Sequence, residues 1–204
     1  MKKLLIGLSG FLLTVVLPVP AGWAATTVLS ANLSQANEVP PTLSPGTGTA
    51  IVTLDTIAQT LHVQVAFSGL GSGTTASHIH CCLASPLLPG VNVGVATTTP
   101  TFANFPLGVT SGTYDNTLDL TLASSYNPAF VTAQGGLAGA EAALENALVL
   151  GETYLNIHTT NFPNGEIRGF LSAVPEPSTW ATMLIGFAGL GFVFRQSRRK
   201  VAFA

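Results

Sequence analysis

Two imidazoles and two thiols fall within five residues, His78-Ile79-His80-Cys81-Cys82, the densest run of coordinating side chains in the chain. On an extended strand successive side chains alternate between faces. His78, His80 and Cys82 would then share one face, with Ile79 and Cys81 on the other. A His-x-His pair on a strand is a ready-made set of two nitrogen ligands. A third imidazole, His158, lies in another strand-like run, Glu152-Thr153-Tyr154-Leu155-Asn156-Ile157-His158-Thr159. If the two strands are neighbours, His78, His80 and His158 form a three-nitrogen cluster suited to copper or zinc, with one coordination position left over. The alternative is that the rings only hydrogen-bond within the fold and order the loops around Tyr154 and Asn156. His62 falls on the polar face of its own strand and reads as a surface residue.

Cys81 and Cys82 are the two cysteines of the chain. Adjacent cysteines can close a vicinal disulfide, pair between molecules, remain as small buried thiols, or lend Cys82 to the histidines as a thiolate. A vicinal disulfide or buried thiols is the preferred reading over ligation. Arg168 is the sole cation between Ala25 and Val174, against eight acids, so this stretch has a net charge of −7 and contains no lysine. Such a balance disfavours a nucleic-acid partner, because nothing could neutralise phosphates. A lone arginine in these surroundings reads as a structural fork for a carboxylate or loop carbonyls, with Glu166 two residues away on the same face. No serine-histidine-aspartate order, phosphate loop or catalytic carboxylate pair is legible, so a non-catalytic role is expected.

The elements that must position these residues have a period of two. Leu61, Val63, Val65 and Phe67 alternate with polar or small residues, as do Val91, Val93 and Val95, and Leu118, Leu120 and Leu122. Leu29-Ala31-Leu33 and Ala50 to Leu54 supply two earlier strands. Pro40-Pro41, Pro45-Gly46, Gly69 to Gly73, Pro89-Gly90 and Pro106 with Gly108 mark turns between them. Asn164-Gly165 predicts a tight hairpin joining the His158 strand to Ile167-Arg168-Gly169-Phe170-Leu171. Leu137, Glu141, Leu144 and Leu148 fall at helical spacing and predict one short helix over 137–148. The expectation is an all-β domain, an immunoglobulin-like antiparallel sandwich or Greek-key barrel with one short inserted helix.

Both ends of the chain carry addresses. Lys2 and Lys3, an apolar run from Leu4 to Val19, and small residues at Gly22 and Ala24 read as a signal peptide, residues 1–24, cut by signal peptidase after Ala24. At the other end Pro175-Glu176-Pro177 precedes an apolar run, Trp180 to Phe194, and a basic cluster of Arg195, Arg198, Arg199 and Lys200. As a helix that run would be about 22 Å long, a short membrane span whose basic end stays cytoplasmic.

Residues 174–204 resemble a PEP-CTERM sorting signal, in which the tripeptide is recognised by a membrane exosortase and the tail is removed after export. Three further blocks resemble the CHRD (chordin-type) domain: Glu38-Val39-Pro40-Pro41, Ser77-His78-Ile79-His80, and Tyr154 to Thr159 running into Pro163-Asn164-Gly165-Glu166-Ile167-Arg168-Gly169. The resemblance assigns residues 25–173 to that family and implies an immunoglobulin-like β domain of exported proteins, with Glu38 and Arg168 as structural residues. Cys81-Cys82 and the helix over 137–148 depart from the family pattern. The His-x-His strand is also locally similar to the copper ligands of copper-zinc superoxide dismutase, without that family's full ligand set. The reading is an exported module, anchored transiently in the membrane and displayed in the envelope, on the cell surface or outside it, with an envelope component or polysaccharide as partner. The second reading is a copper- or zinc-dependent redox protein using His78, His80 and His158.

Overall fold

The computed structural model of the chain describes residues 26–82, 91–175 and 183–190. The signal peptide, the Pro89-Gly90 turn, Glu176-Pro177 and the basic cluster lie outside these residues. Eight strands follow the alternating patterns: β1 (Thr26–Ser34), β2 (Thr47–Asp55), β3 (Thr60–Ser68), β4 (Thr74–Cys81), β5 (Gly112–Asp119), β6 (Thr153–Thr159), β7 (Ile167–Phe170) and β8 (Ser172–Ala173). They form one antiparallel sheet in the order β4-β6-β7-β1-β2-β3-β5, with β8 paired to β1. The sheet curls into a half-barrel, so the expected all-β architecture with its helical insertion is the one observed.

One side of the sheet makes the core. Leu29, Val52, Leu54, Leu61, Val63, Ile79, Leu155, Ile157 and Ile167 are fully buried together. The expected helix is α2 (Leu137–Leu150), which turns Ala140, Leu144, Ala147 and Leu148 into this core. It ends at Gly151, whose φ of 73° is the left-handed cap that glycine adopts freely. A second short helix, α1 (Pro128–Ala133), was not expected; Asn127 caps it by accepting from the Ala129 amide, and Pro128 occupies its first turn.

Three local expectations are corrected. Val91, Val93 and Val95 do not form a strand, and only Val95 makes an isolated bridge, to His80. The carbonyl of Val93 is taken up by side chains of the histidine face instead of a ladder. Leu122 is half exposed because β5 stops at Asp119, whose carboxylate accepts from Thr121 and closes a turn. Asn164-Gly165 is not the tip of the last hairpin. Thr159 and Phe162 exchange backbone hydrogen bonds (3.3 and 3.2 Å), which puts the tip at Thr160-Asn161. Gly165 then absorbs the extra residues at φ 127°, where a Cβ would come within 2.8 Å of Asn156 and Glu38 side-chain atoms.

Residues 183–190 are helical with their apolar side chains exposed. Among the described residues no helix is long and apolar enough to cross a membrane. Residues 180–182 and 191–194 of the expected span from Trp180 to Phe194 lie outside them.

Candidate metal centre

The register of three strands builds the site. β4 and β6 pair so that His80 faces Tyr154, His78 faces Asn156, and Ala76 faces His158. β6 and β7 pair Tyr154 with Phe170 and Asn156 with Arg168. By strand alternation, His78, His80, Tyr154, Asn156, His158, Arg168 and Phe170 then share the side of the sheet opposite Ile79, Leu155, Ile157 and Ile167. This second face is covered as well, by the segments 35–42, 91–100 and 160–166, so that His78 and His80 are less than a tenth exposed and His158 is half-buried.

The expected three-histidine cluster is present. The ring centroids of His78 and His158 are 5.0 Å apart, those of His78 and His80 5.7 Å, and those of His80 and His158 6.0 Å. One ring nitrogen from each residue lies within 4.8 Å of the other two. Each ring also spends one nitrogen on a backbone carbonyl: His78 Nε2 donates to Pro100 (2.6 Å), His80 Nδ1 to Val93 (2.8 Å) and His158 Nδ1 to Pro163 (2.9 Å). A carbonyl only accepts, so these contacts fix the tautomers. The opposite nitrogens, His78 Nδ1, His80 Nε2 and His158 Nε2, are therefore lone-pair acceptors, and all three are buried without a partner.

Burial holds the rings neutral. It pushes His78 and His80 down to about 4, against the pull of their carbonyl partners, and neighbouring imidazoles push the same way. His158 is also lowered, by burial. The metal-free fold thus binds fewer protons than the unfolded chain between about pH 4 and 6.5, so its stability falls as pH drops through that window. Glu38 works in the opposite direction. Burial raises its carboxyl to about 7, so its contribution is present below the unfolded value and is lost as pH rises through 7. With three lowered histidines against one raised carboxyl, urea midpoints of metal-free protein should decrease from pH 6.5 to pH 4.5; a flat profile would contradict the buried neutral cluster.

Behind the histidines lies a supporting layer. Tyr154 stacks on the His80 ring at 4.6 Å and 10°, and its hydroxyl meets the backbone of Val93, the residue that anchors His80. The Arg168 guanidinium sits 4.6 Å from the Tyr154 ring centre and 5.8 Å from that of Phe170. Arg168 lies between loop carbonyls and a carboxyl. Its Nε donates to the Asn37 carbonyl, its Nη1 to Asn92 Oδ1 (2.8 Å), and the Glu38 carboxyl lies 3.8 Å from Nε. Asn92 in turn donates to the Val39 carbonyl (3.1 Å), so one buried arginine ties together two of the three segments that cover the histidines, 35–42 and 91–100.

Glu166 is not its partner. That carboxylate is fully buried and accepts from Ser44 Oγ, Thr159 Oγ1 and the Gly71 amide (2.6 Å), locking three turns at the end of the site. Cys81 and Cys82 form the vicinal disulfide, across a cis peptide bond, with Cys81 buried and Cys82 exposed. Its sulfur engaged there, Cys82 points to the Ala143 carbonyl of α2 (3.9 Å), which removes it from the ligand set. His62 is on β3, well away in the sheet order, and bonds to Asp115 (2.7 Å) at the surface. Asn92 and the carbonyls of Val93, Pro100 and Pro163 were missed by sequence reasoning, since a carbonyl carries no residue-type signal.

The fold and this face define an all-β domain built around a buried histidine cluster, followed by a tail with its own address. The chain belongs to the CHRD domain family, whose model matches residues 29–171. Residues 173–200 match the PEP-CTERM protein-sorting motif. No curated protein and no solved structure gives a match. The chain is therefore an exported, envelope-associated surface protein handled by an exosortase-type system.

Proposed function

We propose that the chain is a non-catalytic binding module of the cell envelope that holds one copper or zinc ion on His78, His80 and His158. The observation that carries this reading is the set of three buried imidazole nitrogens without hydrogen-bond partners on three neighbouring rings. Buried polar atoms are nearly always paired, so three converging orphans are the signature of a ligand. The second nitrogen of each ring is held from behind, the arrangement that orients metal-binding histidines. The ion would have one position left for water or for a group on an envelope partner, such as a polysaccharide.

Delivery completes the reading. Signal peptidase removes residues 1–24, residues 25–173 fold as the module, and residues 174–204 hold it in the membrane until an exosortase removes them. Protein extracted from the surface of its own cells tests both halves in one sample. Its intact mass should correspond to a chain that begins at Ala25 and carries nothing beyond Ser178, and metal analysis should find about one equivalent of copper or zinc. Calorimetry at neutral pH that detects no binding of either ion would make the histidines structural.

A further inference from the structure

The charge around the histidines is unusual for a site that would hold a divalent ion. All three rings are backed by neutral carbonyls, of Val93, Pro100 and Pro163, and none by a carboxylate. Behind His80 lies the Arg168 cation, on the far side of the Tyr154 ring that stacks against it. The nearest acid in the supporting layer, Glu38, is turned to Arg168 and Asn156. Glu166 is committed to Ser44, Thr159 and Gly71.

We infer that this site selects monovalent copper, Cu(I), over Cu(II) and Zn(II). The inference rests on the reading that His78, His80 and His158 hold a metal, and deepens it. Three physical arguments support it. The cost of taking an ion out of water grows with the square of its charge, and three neutral ligands bring no opposite charge to balance it. A divalent ion would leave two uncompensated charges in a covered site that already feels Arg168, and Cu(I) leaves one. Cu(I) is satisfied by two or three donors, whereas Zn(II) and Cu(II) take at least a fourth ligand. Among the described residues of the cluster, His158 is the one with appreciable exposure to water, since His78 and His80 are under a tenth exposed.

The test is a set of competition titrations on the purified full-length chain. Cu(I) is titrated without oxygen against bathocuproine disulfonate, and Cu(II) and Zn(II) against nitrilotriacetate. Cu(I) should bind more tightly than either divalent ion by roughly tenfold or more, the effect of one extra unit charge near another at an effective dielectric of about 20. A second variant brings a carboxyl group to the rung beside His78. In Glu38→Gln/Asn156→Asp the carboxyl moves from position 38 to the rung that has His78 on one side and Arg168 on the other. The ratio of Cu(I) to Cu(II) affinity should then fall by roughly tenfold. A wild-type chain that prefers Cu(II) or Zn(II), or a folded double variant with an unchanged ratio, overturns the selectivity while leaving the metal site standing. Binding of none of the three ions overturns both.

Discussion

His80→Ala should lower copper or zinc affinity by more than about 100-fold, beyond the range seen when only a supporting residue is lost. His80 is at the centre of the cluster's wiring. Its Nδ1 is held by Val93, its ring lies flat on Tyr154, and its Nε2 is one of the three unpartnered nitrogens. Alanine removes a ligand outright and leaves two, too few to hold an ion against water. His62→Ala is the matched control, because that ring is on β3 and its bond is to Asp115 at the surface. Isothermal titration of both variants should show binding lost in the first and kept in the second. Equal affinities would mean that the cluster is not where the metal goes.

Arg168→Met should be the most damaging single substitution for folding, costing about 3–5 kcal/mol, as expected when one member of a buried charged pair is removed. The arginine is fully buried; its loss strands the Glu38 carboxyl in the interior and takes the donor from the half-buried Asn37 carbonyl and from Asn92 at the surface. Methionine fills much of the volume, so the cost comes from those stranded groups more than from a cavity. Arg168→Lys keeps the charge but cannot reach Asn37 and Asn92 at once, and should recover only part of the loss. Urea denaturation measures all three chains. A midpoint for Arg168→Met within error of the wild type would show that the two covering segments hold themselves.

Alternation alone was enough to put His78 and His80 on one face, since a period of two survives any detail of the fold. The length and spacing of Leu137 to Leu148 were enough for α2. Legibility failed where polar side chains took over from the backbone ladder. Val91, Val93 and Val95 alternate like a strand, yet the carbonyl of Val93 is claimed by His80 and Tyr154, two residues with no sequence proximity to it. The Asn164-Gly165 pair has the chemistry of a hairpin tip, but the Glu166 amide bonds to the Ile157 carbonyl (2.8 Å) and the tip shifts to Thr160-Asn161. Arg168 stood out in the sequence by its isolation. Which of Glu38 and Glu166 it faced depended on β1 and β7 being neighbours, a pairing that no local pattern encodes.

The rungs that carry the histidines have a core residue on one side and a site residue on the other. In β4 these are Ile79 between His78 and His80, and in β6 Leu155 and Ile157 between Tyr154, Asn156 and His158. Gaining or losing a single residue within either strand would turn the imidazoles inward and the aliphatic side chains outward. For a lineage of such chains, residue identity on these strands can drift at one position at a time, but strand length cannot. Insertions should accumulate at the turns, and the histidine face and the hydrophobic core should be inherited or lost as a single trait.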